Sequence, residues 1–489
     1  MELPGPGRTI STVSMELGQV LAPCGIYNYA GGVAVYANSS KTLDPIKPAK
    51  FRTWSEKFII PVKAGDKGEV IQTMSSGDAG TILLSEQFIE QLREVDRFNG
   101  VRLPVMRENG TVELLPEGYD RDSKILTATE TLPYPTNTKP EEGKAFLDDL
   151  LKEFPFMDEG RSKAVAVAAM LTMYGLDLMP PRTILPAFKY RGNLPGLGKG
   201  LLAQAAMIPV LGYAPTGVKP KDETEMRKIL FAVAREARPG VFLDNVTGRL
   251  ASPSLESFIT TSMVTGRVLG TSISLNCRKA TVVFITGHNC TLNADMARRT
   301  LICELFMAGA PESRKIENHL DENRLLELRP QILGSLYALV NQWALAGKPK
   351  PSATNPNFVV WSQIIGAIVE HAGFGSVATT TAEDTVADPR EVDMFALTEH
   401  LHTEHQTEAV KFTDLVSLMR EHNLFSDILK SGETLNKHEN TAMGRFLSAQ
   451  HDRAFTNGLR FVILGKGHAR RYAVQRLSGL LEAPVTSAA

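Results

Sequence analysis

The sequence predicts an α/β protein in three parts: a mixed α/β N-terminal region, a central phosphate-binding α/β core, and a small C-terminal domain with a basic hairpin. Three observations carry that prediction. A Gly-rich turn holding Lys199 joins a strand-like run, Thr183 to Phe188, to a helix-like run, Leu201 to Val210. Two further apolar runs behave as buried strands: Val241–Leu243, which ends in Asp244, and Ala280–Thr286, which ends in Thr286-Gly-His-Asn289. Near the C-terminus two helix-like runs precede a basic, Gly-containing hairpin.

Composition sets the frame. At 489 residues the chain has room for about three domains, at ~150 residues each. Its hydrophobic content of 43% is enough for large cores. The net charge of −1 decides nothing about nucleic acid, because it hides local asymmetry. The cysteines Cys24, Cys277, Cys290 and Cys303 form no C-x-x-C pair, which argues for reduced thiols in a cytoplasmic protein and against a zinc ribbon or disulfide framework. No run approaches the ~18 apolar residues of a membrane span. The N-terminus lacks the basic-then-apolar pattern of a signal peptide.

Residues 1–132 read as an accessory or assembly domain. Ile26 to Tyr36 and Phe58 to Val62 have strand character, and Glu86 to Phe98 has helical spacing. Leu103–Met106 and Thr111–Leu115 flank Asn109-Gly110, a hairpin signal because both turn residues tolerate positive φ. No paired carboxylates mark a metal site here. The Pro-rich segment Leu132 to Pro140 is a domain boundary.

The core spans 141–345, helical lid included. Helices over Gly143–Phe154 and Arg161–Gly175 lead to the strand before the turn Arg191-Gly-Asn-Leu-Pro-Gly-Leu-Gly-Lys-Gly-Leu-Leu202. Strand, Gly-rich turn with Lys, then helix is the context of a phosphate-binding loop. Backbone N–H groups converge on an anion there, and the helix N-terminus adds partial positive charge. Asn193, Pro195, Gly196, Leu197, Gly198, Lys199, Gly200 and Leu201 are the nucleotide-binding candidates, with Lys199 reaching the β- and γ-phosphates of ATP. Against the G-x-x-x-x-G-K-[ST] pattern, Asn193 replaces the first Gly and Gly200 the Mg²⁺-ligating hydroxyl. The alternative is an ordinary Gly/Pro-rich loop with one solvated lysine.

A helix over Thr224–Arg238 stops at Pro239-Gly240. Asp244, delivered by a buried strand, is the candidate ligand of the Mg²⁺ water shell. Ser252-Pro253 caps a helix over Ser254–Met263. Arg267 to Lys279 reads as a hairpin offering Arg267, Arg278 and Lys279 to DNA, or as an interface element without DNA contact. Asn289 is the candidate sensor that orients the attacking water; a turn asparagine is the alternative. Arg298 and Arg299 sit where an arginine finger would reach a neighbouring subunit's γ-phosphate, or are solvated helix-end residues.

This succession of the loop, Phe242-Leu-Asp-Asn-Val246, Arg267-Val-Leu-Gly270, Thr286-Gly-His-Asn289 and Asp295-Met-Ala-Arg-Arg299 resembles the AAA+ ATPases of phages and integrated mobile elements. These are primase-helicase-like replicative proteins, related to superfamily 3 and MCM-type helicases. Gly118-Tyr-Asp120, Phe154-Pro-Phe156, Arg329-Pro330 and Trp361-Ser362 are further landmarks, so the resemblance extends over most of the chain. It implies a hexameric ring with ATP and Mg²⁺ at subunit interfaces and single-stranded or forked DNA in the pore. It also implies that Asn245 stands where many relatives carry the catalytic Glu; an asparagine cannot accept the proton as a carboxylate would. The alternative that Asn245 favours is a nucleotide-switched initiator or helicase loader with little unwinding.

Ile316 to Leu345 reads as the lid, with Arg329 as a second γ-phosphate sensor or a surface arginine. Residues 346–400 read as a helical connection and linker. His400, His402 and His405 with Glu399 and Glu404 invite a metal reading, but at ~100° per residue one helix cannot present all three histidines together. Residues 401–489 read as a winged helix: helices over Thr413–His422 and Asn440–Ser448, then strands Phe461–Leu464 and Arg471–Val474. Arg445 on the recognition helix and Lys466, Arg470 and Arg471 on the wing are DNA candidates. Seven Lys/Arg against two acids between Lys437 and Gln475 support phosphate contact. Winged helices also bind proteins, which is the alternative.

Overall fold

In this computed structural model, all residues are described except 6, 38–41, 66–67, 159, 268–273, 308–315, 317–318, 379–388, 423, 426–427, 430–434, 454, 456–458, 466–468 and 477–489. The chain forms two compact units, Met1–Thr291 with Asp295–Thr381, and Leu292–Ala294 with Ala382–Ala489. No helix among the described residues is long and apolar enough to cross a membrane.

The first unit opens with helix α1 (Ile10–Leu21), whose Thr9 cap accepts a hydrogen bond from the Thr12 N–H. Strands β1 (Ile26–Tyr29), β2 (Gly32–Ala37), β3 (Thr42–Pro45) and β4 (Arg93–Val95) form a sheet in the order β3-β2-β1-β4. Ala30 and Gly31 turn the first hairpin with φ of 51° and 76°, the double positive φ that a tight hairpin needs. Val13, Leu17, Ile26, Val35, Phe51, Ile82 and Phe88 fill the core beneath it. A second sheet has the order β6-β7-β5, from β5 (Arg97–Asn99), β6 (Gly118–Asp120) and β7 (Ile125–Thr127). The Asn109-Gly110 hairpin forms between Pro104–Met106 and Val112–Leu114, with the Asn109 side chain accepting from the Thr111 N–H.

Two expectations for this region fail. Only Glu86–Ile89 of the run to Phe98 is helical. Arg93–Val95 instead pairs in parallel with Tyr27–Tyr29, so tertiary pairing overrides a helical pattern. The strand expected over Phe58–Val62 forms at Val62–Gly65, paired with Gly68–Ile71.

The centre of the unit is a four-stranded sheet in the order β9-β12-β8-β13, built from β8 (Ala187–Gly192), β9 (Gly240–Leu250), β12 (Val282–Leu292) and β13 (Thr300–Leu305). Strand β8 runs parallel to both β12 and β13. Helix α2 (Arg161–Tyr174) is buried on every side from Ala164 onward and packs on β13 and on α3 (Lys199–Leu211); its six alanines and valines in succession, Ala164 to Ala169, allow that close approach. Helix α4 (Glu223–Arg235) and helix α5 (Pro253–Thr260) follow, and Ser252 caps α5 through the Leu255 N–H as expected. The hairpin β10 (Met263–Arg267) and β11 (Ser274–Arg278) pairs Met263 with Arg278 and Arg267 with Ser274. Helix α6 (Arg329–Leu345) completes the helical layer.

The second unit contains α7 (Pro389–His405), α8 (Phe412–Glu421), α9 (Lys437–Ala449) and the hairpin β14 (Leu459–Leu464) with β15 (Arg471–Arg476). Val410 forms an additional bridge to Tyr472. Met394, Leu397 and Leu401 of α7 lie in one core with Leu415, Met419, Met443, Leu447, Phe461 and Val474. Helix α7 therefore belongs to this unit. The boundary expected at residue 400 cuts through a helix whose apolar face the terminal core needs.

Candidate functional site

The loop between β8 and α3 is built by its glycines. Gly196 and Gly198 hold φ of 76° and 90°. A Cβ at Gly198 would also stand 2.9 Å from the Phe154 ring, so this position excludes any side chain twice over. Asn193, where the loop pattern has Gly, does structural work: its amide donates to the Met307 carbonyl at 2.8 Å and accepts from the Met307 N–H at 3.1 Å. Just before it, Arg191 pairs with Glu304 on β13. The loop is thus tied to the end of the neighbouring strand. Gly200 faces open space, so its lack of a hydroxyl is not forced by crowding.

Lys199 opens α3 and folds back over the loop, donating to the Leu194 carbonyl at 2.7 Å. Partial burial lowers its pKa. A half-buried ammonium held on a neutral carbonyl gains by exchanging it for a phosphate oxygen. Leu197 is buried beneath the loop, while Pro195 and Gly196 are exposed and Leu201 is half-buried.

Val241, Phe242 and Leu243 are buried in β9 and deliver a half-buried Asp244. The Thr286 hydroxyl on β12 donates to the Asp244 carboxylate and accepts from the Asn245 N–H at 3.1 Å. Asn245 has φ of 54°, a left-handed turn that asparagine tolerates well. Gly217 leaves room for Asp244: a Cβ there would lie 2.3 Å from that of Asp244. Register fixes the level of this group. Thr286 pairs with Tyr190, two residues before the end of β8. At ~4.8 Å between strands, Asp244 sits roughly 10 Å to the side of the strand that carries the loop, near the same end of the sheet.

Arg298 and Arg299 occupy the opposite end. The Arg299 carbonyl accepts from the Ala187 N–H at the start of β8. The loop lies a strand length away, ~17 Å at about 3.3 Å per residue, so neither arginine serves the loop of its own chain. Arg298 pairs with Asp295 and is 63% exposed. Arg299 is less exposed and lies 3.7 Å from Glu256.

No protein-family model and no curated protein matches the chain. Solved structures similar to it include two of the same protein region. One is the A form apo structure of the NrS-1 C terminal region, at 13% identity and a TM-score of 0.44, covering 95% of this chain and 99% of that one. The other is the same form described as residues 305–718, at 13% identity and a TM-score of 0.43, covering 94% and 99%.

Two sequence expectations are corrected by position. Arg329 does not approach the loop. Its Nε donates to the Pro209 carbonyl at 3.1 Å, and its guanidinium packs on Gly212 at the far end of α3. That end is roughly 18–20 Å from Lys199 at about 1.5 Å per residue. Arg329 caps the helix C-terminus, where a cation is favoured. Lys279 is the second correction. It is buried, and its ammonium donates to the Phe258 carbonyl at 2.6 Å and the Ile259 carbonyl at 3.1 Å, which removes it from contact with a DNA phosphate. Lys466 and the side chains of Arg267, Arg278 and Asn289 lie outside the described residues.

In the second unit Arg445 on α9 and Arg470 before β15 are exposed. Arg470 donates to Ser448 of α9 at 3.3 Å, so hairpin and helix present these cations together. Arg471 is half-buried and donates to the Arg470 carbonyl at 3.3 Å.

Thr286, which the sequence alone did not single out, is the residue that holds Asp244. Its signal was a hydroxyl closing an apolar run beside the strand of Asp244. Under the function proposed below, Thr286→Val, which leaves Asp244 free to rotate, is expected to lower nucleotide turnover ~10–100-fold, most at limiting Mg²⁺. Thr286→Ser should retain most activity. Phosphate release across a Mg²⁺ series is the measurement.

Lys279 gives a pH prediction. Burial pushes its pKa down to about 7 from an ordinary 10.5. Between those values the unfolded chain holds a proton that the folded chain lacks, so stability rises with pH across that window. The cost of burying the charge is fully present below pH 7. Lys279→Met is expected to remove a slope of up to about 1.4 kcal/mol per pH unit. Urea unfolding of both proteins at about pH 6 and about pH 9 measures it.

Proposed function

We propose that this chain is an ATP-dependent DNA helicase or translocase acting in replication of a phage or mobile element, with ATP hydrolysed at the subunit interfaces of a ring. One observation carries the reading: Lys199 in its glycine loop and the Asp244–Thr286 pair lie at the same end of one sheet, two strands apart. The residues fit Mg²⁺–ATP. A half-buried ammonium with a replaceable partner suits the phosphates, and a half-buried carboxylate oriented by a hydroxyl suits a metal's water shell. Mg²⁺ when bound neutralises charge on the β- and γ-oxygens. Lys199 and the loop N–H groups hold the phosphates, and Asn193 keeps the loop in place through Met307.

The position of Arg298 and Arg299, remote from the loop of their own chain, supports a role on a neighbouring copy and hence a ring. Arg445, Arg470 and Arg471 on a helix-and-hairpin surface support a winged-helix reading of the second unit and sequence-independent DNA contact. A second reading, a nucleotide-switched initiator or loader, is favoured by Asn245, which supplies no carboxylate to accept a proton.

Strand displacement on a forked duplex separates the two. ATP-dependent displacement, with rings visible by electron microscopy in a nonhydrolysable ATP analogue, supports the motor. ATP and DNA binding without displacement supports the switch. Absence of any nucleotide-induced thermal shift overturns both.

A further inference from the structure

The second unit carries a side-chain cluster that nucleotide and DNA chemistry leave unused. His400 and Glu404 lie four residues apart on α7 and so share one face. His422 is the C-cap of α8 and comes to that face from the neighbouring helix. The His400 and His422 rings stack with centroids 3.5 Å apart, 10° from parallel. His422 Nε2 lies 3.4 Å from Glu404 Oε1, and one ligand atom from each of the three residues falls within 4.8 Å of the others. The histidines that one helix cannot bring together are thus partly replaced by one from the next helix. His402 is engaged elsewhere, near the Gln406 carbonyl and Arg476 Nε, both at 3.3 Å.

We propose that His400, Glu404 and His422 form a binding site for a divalent transition-metal cation, with zinc as the best fit. Two imidazole nitrogens and one carboxylate oxygen suit Zn²⁺, Co²⁺ or Ni²⁺ and are a poor set for Mg²⁺ or Ca²⁺. Tetrahedral zinc, with bonds of about 2.0–2.1 Å, holds its ligand atoms roughly 3.3 Å apart. The His422–Glu404 separation already meets that spacing, and His400 has to rotate out of its stack on His422 to aim its in-plane lone pair at the same ion. Glu404 is exposed, so it can rotate inward and a water can take the fourth position. The electrostatics agree. Glu404 is in the last turn of α7 and His422 closes α8, so the negative ends of two helix dipoles converge on the cluster. A bound metal would pin the end of α7 to the end of α8, on either side of the Val410–Tyr472 bridge that leads to the hairpin.

The test uses the full chain without a purification tag, and needs neither ATP nor DNA. Cobalt(II) is titrated and followed by its visible absorption, and zinc(II) is followed by thermal unfolding. The expected result is one equivalent of metal bound, with the zinc-induced rise in melting temperature lost in His400→Ala and His422→Ala. Glu404→Gln, an exposed and nearly isosteric change that keeps the fold, is expected to weaken binding by about tenfold or more. His402→Ala is expected to bind as the parent does. No uptake at one equivalent, or uptake unchanged in Glu404→Gln and in the two histidine variants, overturns the site.

Discussion

Under the proposed function, Lys199→Ala is expected to lower ATP-driven turnover by ~10²–10³-fold or more while leaving the fold and any DNA affinity intact. The magnitude follows from where the ammonium sits. Burial already lowers the Lys199 pKa, and its ammonium donates to the Leu194 carbonyl of its own loop. In a partly dry site a fixed positive charge is worth far more than in water. Alanine removes that charge without strain, because position 199 is the first residue of a helix whose cap, Gly198, is unaffected. Three measurements separate the causes: phosphate release, the thermal shift on adding ATP, and retention of labelled single-stranded DNA. Loss of the first two with the third preserved is the expected pattern. Turnover equal to that of the parent would mean that this loop does not hold the triphosphate, and the motor reading would fall with it.

Such a site is legible in sequence because its parts are local. An apolar run, two glycines with positive φ and a lysine at a helix start specify strand, loop and helix from neighbours alone. Asp244 is legible for the same reason, closing the buried run Val241–Leu243. What was not legible depends on residues far apart in the chain. Arg329 looks like a sensor in a lid, but only the packing of α6 shows that it meets the wrong end of α3. Lys279 looks like the next cation of a basic hairpin, and only the end of α5 explains its burial. The helix expected through residue 98 yields to a strand because β1 offers Arg93–Val95 a parallel partner. His422 joins His400 and Glu404 from another helix, which no single-helix spacing argument can find.

Trp361→Ala is expected to destabilise the first unit by ~3–5 kcal/mol and to impair turnover from a distance. Trp361 is fully buried; its indole N–H donates to Thr172 Oγ of α2 at 2.9 Å, and the ring stands edge-on to Phe188 at 6.2 Å. Phe188 belongs to β8, the strand that carries the loop, and itself stacks on Phe284 of β12, two residues before Thr286. The tryptophan therefore supports the floor on which Lys199 and Asp244 are held level. Removing it opens a cavity beneath both strands, and the close packing of α2 leaves little freedom to collapse into it. Trp361→Phe keeps most of the volume and gives up the hydrogen bond, so about 1 kcal/mol is its expected share. Urea unfolding of the three proteins, with turnover measured at a temperature where each is folded, resolves stability from positioning. If the alanine variant loses stability but turns over normally when folded, the tryptophan holds the core together without setting the site.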